Sequence, residues 1–117
     1  MNAPTWVFKV LREAEWREFS ENKLWRGSPH DERDGFVHLS LASQVRGVIS
    51  RHFDDAWPLH VVAFRAAALG DSLRLEASTA GEQYPHLYAP LESQSAETQI
   101  LARSESDLAS WLSDIGK

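Results

Sequence analysis

Two short segments of this chain concentrate the side chains that can do chemistry. In Asp34-Gly35-Phe36-Val37-His38-Leu39-Ser40, an imidazole and a hydroxyl stand two residues apart inside an apolar run. On a β-strand, side chains two apart point to the same face. Phe36, His38 and Ser40 therefore share one side, and Val37, Leu39 and Leu41 share the other. The second segment is Tyr84-Pro85-His86-Leu87-Tyr88, where the same period aligns Tyr84, His86 and Tyr88. Placed side by side, the two strands would line a cleft with two imidazoles, hydroxyls and aromatic rings.

Several chemistries could use such a set. A Ser–His nucleophile pair is disfavoured, because side chains two apart on a strand are too distant for easy proton transfer. The chain also lacks a Gly-x-Ser-x-Gly turn to expose a serine. A metal site can be written from His30, His38, His52, His86 and Asp31 or Asp34, but no His-x-x-x-His or similar spacing supports it, and no metal is expected. Neither familiar phosphate-cradling glycine loop is present. Each residue also has a structural reading. His38 could be satisfied by a backbone carbonyl, Ser40 could cap a helix, and Tyr84 and Tyr88 could pack an edge strand. Glu76 reads as a solvated strand residue, although a partly buried carboxylate beside two imidazoles would matter more. His52, on a helix, and His60, inside an apolar run, read as structural.

The elements that must position these groups follow from the pattern. Residues 6 to 11 are β-branched and aromatic, and predict an opening strand. Trp16 and Phe19 at helical spacing predict an amphipathic helix over 12–22. Residues 24 to 35 read as a polar loop, with turn chemistry at Gly27-Ser28-Pro29 and Asp34-Gly35. Ala42, Val45, Ile49 and Phe53 then form a helical stripe that Ser40 could cap. The run Leu59–Phe64 suits a central strand buried on both faces, and residues 73 to 76 alternate as a half-exposed strand. The prolines at 85 and 90 confine the strand around His86 to a sheet edge or to irregular pairing. Residues 96 to 102 suit a last strand. Ser104 with Asp107 resembles a capping box before a final helix striped by Leu108, Trp111, Leu112 and Ile115. Strands and helices mix without strict alternation, so the predicted class is α+β.

Composition sets the outer bounds. At 117 residues the chain is read as one domain, 1–117, with enough mass for a core, and five tryptophans argue against disorder. It contains no cysteine, which fits a reducing cytoplasm. No run reaches the length of a membrane helix, and the first residues lack signal-peptide features, so neither membrane nor export is expected. A formal charge of −5 argues against general nucleic-acid binding. It still allows a small anionic ligand held by a local arginine pair or a helix N-terminus.

Taken together, Gly27-Ser28, Asp31, Asp34 to Ser40, Gln44, Phe53, Glu76, Gly81 and Tyr84 to Tyr88 resemble the bacterial family catalogued as domain of unknown function 952, over essentially the whole chain. That family is grouped by similarity with the ADP-ribosyltransferase-like superfamily. The resemblance implies a split, mixed or antiparallel sheet with flanking helices around a cleft for NAD. It further implies that His38 contacts a ribose, that Ser40 supports the nicotinamide side, and that Tyr88, or else Tyr84, stacks on nicotinamide. His86 would contact the reacting region or a phosphate, giving His38, His86 and Tyr88 as candidate catalytic residues. Ser28, Asp34, Arg26 and Arg33 are candidates for the remainder of a nucleotide site. The superfamily's third motif, a Glu or Gln on a later strand, has no clear match; Glu76, Glu97 and Gln99 are the candidates. The expected ligand is NAD or an ADP-ribose-like nucleotide. The expected function is transfer or hydrolysis at its glycosidic bond, with a non-catalytic binding module or a structural domain as alternatives.

Overall fold

Leu59–Arg65 forms β4, and its first six residues are all buried. A nearly unbroken apolar run is what a strand covered on both faces requires. In the computed structural model, which describes residues 4–54 and 56–115, β4 is the middle of a three-stranded antiparallel sheet. Its neighbours are β1 (Trp6–Leu11) and β8 (Ala96–Ala102). Side chains of alternating parity feed two separate cores. Val7, Leu11, Val62 and Phe64 join Phe19, Trp25, Val37, Leu39, Leu87 and Leu91 on one side. Phe8, Val10, Val61 and Ala63 join Val45, Ile49 and Leu108 on the other.

Helices cover the second side. They are α3 (Val45–His52), entered through a 3-10 turn at Ala42–Gln44, and α5 (Glu105–Ile115). The first side is covered by α1 (Glu13–Glu21) and by two small antiparallel sheets. One pairs β2 (Leu24–Trp25) with β7 (Leu91–Glu92). The other orders β3 (Val37–His38), β6 (Gln83–Leu87) and β5 (Leu73–Ala77), with β6 in the centre. Short helices α2 (Pro29–Asp34) and α4 (Ala66–Leu69) complete the chain. The architecture is α+β, as the sequence pattern predicts, and of the mixed or antiparallel sheets that the resemblance implies the antiparallel form is found. Among the described residues, no helix is long and apolar enough to cross a membrane. Phe19 meets Trp25 and Phe64 edge-on, with ring centroids 5.8 and 6.1 Å away, at the junction of α1 with the sheets. Truncating so buried an aromatic costs about 3–5 kcal/mol.

Three local expectations are corrected. The segment 24–35 is not an open loop, because it contains β2 and α2. Ser28 caps α2 by accepting the Asp31 N–H at 3.2 Å, Pro29 supplies a fixed φ at its start, and Gly35 ends it at φ 85°. Ser40 caps no helix. Its N–H and C=O both pair with Phe8, at 2.9 and 2.8 Å, and so join the small sheet to β1; Gln44 Oε1 receives the Leu41 N–H instead. The edge position is not adopted: the strand carrying His86 is central, and its pairing is irregular at Pro85 instead. Pro85 is tolerated there because the side on which it lacks an N–H faces Leu39, where β3 has ended. Its carbonyl still accepts the Leu39 N–H at 3.0 Å.

Candidate functional site

The site is organised around a buried carboxylate. Asp31 is 1% exposed and sits one turn into α2. Its Oδ2 accepts Lys9 Nζ at 2.9 Å and the Ser28 N–H at 2.9 Å. Its Oδ1 accepts the His38 N–H at 3.1 Å and lies 2.6 Å from His38 Nδ1. Burial pushes the Asp31 carboxyl up, but the His38 bond, the Lys9 charge and the Ser28 N–H outweigh it. The acid is held well below the ordinary carboxylate range. An ionised carboxylate can only accept, so His38 Nδ1 carries the proton and Nε2 is aimed outward. Lys9 also donates to the His38 carbonyl at 2.9 Å, fixing β3 from beneath.

A second imidazole–carboxylate pair stands opposite. His38 and His86 are directly paired across β3 and β6, and Arg74 is the partner of His86 on β5. Glu76 Oε1 lies 2.8 Å from His86 Nδ1 and accepts the Tyr88 hydroxyl at 2.5 Å. The Tyr88 and His86 hydrogen bonds lower the Glu76 carboxyl, and the same bond to Glu76 raises the Tyr88 phenol. Phe36 stacks on the His86 ring at 4.0 Å and touches His38 and Tyr88, with centroids at 4.6 and 5.2 Å. The His38 and His86 rings are 5.5 Å apart. Arg74 lies over the Tyr88 ring at 5.2 Å.

The period-two reading thus places Phe36, His38, His86 and Tyr88 together on one face. Phe36 and Tyr88 continue into a shallow groove of about 370 Å³ that Arg26 and Pro90 also line. Asp34 approaches His38 from the end of α2, with Oδ2 3.0 Å from Nε2. Ser28 contributes through Asp31 rather than directly. Ser40 is buried at the junction with β1. Tyr84 is held by Arg51, 2.9 Å from its hydroxyl, toward α3. Arg33 lies against His30 and Asp34. Of the third-motif candidates, only Glu76 reaches the imidazoles. Glu97 and Gln99 sit on β8, at the opposite edge of the large sheet from β1, beside a separate concavity with Trp16. His60 is structural, stacked on Trp16 at 4.8 Å and 3.1 Å from Glu13. His52 is exposed, and its carbonyl accepts from Arg12.

Lys9 and the role of Asp31 escape the sequence reading. A signal existed: a lysine inside the strand Trp6–Leu11, flanked by apolar residues on both faces, needs a buried anion. Gly27 carries a related signal. At φ 100°, a Cβ there would lie 2.5 Å from the Asp31 Cβ, so only glycine lets the carboxylate in.

Comparisons with known proteins identify the chain's family and overall fold. The structure resembles the crystal structure of protein CC0527 from Caulobacter crescentus, with a TM-score of 0.80 at 32% identity, covering 90% of this chain and 99% of that one. It also resembles the solution structure of CC0527, with a TM-score of 0.73 at 33% identity, covering 82% of this chain and 83% of that one. No curated protein matches the chain. The sequence profile described as "Protein of unknown function (DUF952)" matches residues 10–98, and the chain belongs to that family.

Proposed function

We propose that the face formed by Phe36, His38, Glu76, His86 and Tyr88 binds NAD or an ADP-ribose-like nucleotide and acts at its nicotinamide-ribose bond. One observation carries the reading. Two imidazoles, paired across adjacent strands, are each held at Nδ1 by a carboxylate, at 2.6 and 2.8 Å, beside aromatic rings open to a groove. The His86 ring, fixed in this way, presents its Nε2 edge to a ribose hydroxyl without further ordering cost, and His38 does so once Asp34, 3.0 Å from its Nε2, turns aside. Phe36 and Tyr88 offer ring surface for a nicotinamide or adenine, and Arg26 and Arg74 offer positive charge for a diphosphate.

In the proposed reaction the bond from ribose C1′ to the pyridinium nitrogen breaks, and its electron pair leaves with neutral nicotinamide. Water or an acceptor hydroxyl then adds to C1′ and releases a proton. Glu76, whose carboxyl is lowered by Tyr88 and His86, suits stabilisation of the developing oxocarbenium charge better than uptake of that proton. The His86 ring, engaged by Glu76 at Nδ1, is assigned the uptake of that proton through Nε2. A non-catalytic binding role rests on a separate observation: Glu76 is already engaged by both Tyr88 and His86.

Ligand-dependent melting tests binding. A ligand in 100-fold excess over its Kd adds about 2.7 kcal/mol to the native state. NAD or ADP-ribose should raise the melting temperature; no shift at millimolar ligand removes the nucleotide reading. Nicotinamide release then separates enzyme from binder.

A further inference from the structure

We propose that His30, Asp34 and His38 form a binding site for a zinc-class divalent metal ion. The three residues each bring one ligand atom into a cluster whose members lie within 4.8 Å of one another. Asp34 Oδ2 is 3.0 Å from His38 Nε2 and 3.5 Å from His30 Nε2. Donors bound tetrahedrally at about 2.0–2.2 Å stand roughly 3.4 Å apart, so these spacings already match a shared metal. Helical geometry explains half of the site, because His30 and Asp34 are i and i+4 on α2. The turn at Gly35 then brings β3 back, so that His38 meets them.

The surroundings point the same way. Metal-ligating imidazoles donate their other ring N–H to a carboxylate, which fixes the tautomer and raises ligand basicity. Asp31 is placed to do this for His38, its buried carboxylate 2.6 Å from Nδ1. The outward Nε2 of His38 faces the Asp34 carboxylate across 3.0 Å, beside the position a shared cation would take. The rings of His30 and His38 are stacked at 4.6 Å, so both can turn a nitrogen toward Asp34. Two imidazoles and one carboxylate leave coordination positions for water, and they favour zinc, cobalt or nickel over magnesium or calcium. Arg33 contacts His30 Nδ1 and must turn away on loading; its side chain is 69% exposed and free to do so.

This inference shares only His38 with the nucleotide reading; His30 and Asp34 belong to it alone, and Glu76, His86 and Tyr88 take no part in it. Tag-free protein should be titrated with zinc chloride and with magnesium chloride by calorimetry. Cobalt substitution followed by visible absorption reports the ligand geometry. One equivalent of zinc should bind, cobalt should give the intense bands of a low-coordinate site, and magnesium should not compete. His30→Ala and Asp34→Asn change exposed positions and leave the buried Lys9–Asp31 pair intact. Each should weaken zinc binding by on the order of 10-fold or more, while His86→Ala and His52→Ala leave it unchanged. Absence of saturable zinc binding overturns the proposal. So does binding that survives both His30→Ala and Asp34→Asn. A null result here with a positive nucleotide shift, or the reverse, shows which of the two readings has failed.

Discussion

Lys9 Nζ stands 2.9 Å from Asp31 Oδ2, and this ion pair lies beneath His38 rather than on the protein surface. It joins the middle of β1 to α2, and its other carboxylate oxygen sets the orientation of the imidazole above. One buried charge pair therefore holds together a sheet, a capped turn of helix and the candidate site.

Breaking that pair should be costly. Asp31→Asn leaves Lys9 as an uncompensated buried charge and removes the anchor of His38. Lys9→Met leaves Asp31 in the same position. Each single change should lose about 3–5 kcal/mol. The Lys9→Met/Asp31→Asn double variant should lose clearly less than the two losses added together, since neither charge is then stranded. Urea denaturation of the four proteins measures this coupling, and simple additivity would show that the pair is not energetically joined.

Gly27→Ala should act through the same carboxylate. The new Cβ would meet the Asp31 side chain at 2.5–2.9 Å, at a backbone φ of 100° that alanine rarely adopts. Strain and displacement together should cost at least about 2 kcal/mol. Gly81→Ala also has a positive φ, 90°, but meets nothing within 4 Å. It should be milder, and thermal unfolding of the two variants makes the comparison.

Much of this arrangement is legible from residue types alone. The spans of β1 and β8 follow from composition, and alternation correctly puts Phe36, His38, His86 and Tyr88 on one face. Less legible is whatever depends on partners distant in sequence. Lys9 and Asp31 are 22 residues apart, and only folding shows that each answers the other. Pro85 reads as an edge or an irregularly paired residue, and the sequence does not decide between them because it does not reveal that β3 stops at His38. His30 and Asp34 look like solvated loop residues until the chain from Ser28 to Gly35 is seen as one capped helical segment.

The Tyr88–Glu76 contact gives a titration test. The hydrogen bond raises the Tyr88 phenol above its ordinary value of 10.0 and lowers the Glu76 carboxyl below 4.5. For the carboxyl the linked stability is present above the unfolded value and is lost as pH falls through the folded one. For the phenol it is present below pH 10 and is lost as pH rises through the raised value. The chain has only two tyrosines, so absorbance at the phenolate band can resolve them. Tyr88 should ionise above the ordinary phenol range, and Glu76→Gln should bring it back toward that range. A wild-type titration identical to that of Glu76→Gln would contradict the contact.

Substitutions should also separate the roles on the imidazole face. His38→Ala and His86→Ala should each abolish most of the nucleotide-induced melting shift. Gln99→Ala, on the far sheet edge, should leave the shift intact. If nicotinamide release is measurable, Glu76→Gln should lower turnover more than it weakens binding, because the charge it removes matters most in the oxocarbenium-like transition state.

The most direct measurement of the central claim is an NMR titration of isotopically labelled protein with ADP-ribose, following backbone amides and imidazole side chains. Saturable shifts should concentrate at Phe36, His38, His86 and Tyr88, with the His38 and His86 ring signals among the largest. Absence of any saturable shift, or shifts centred instead on the concavity around Trp16 and Gln99, would contradict it.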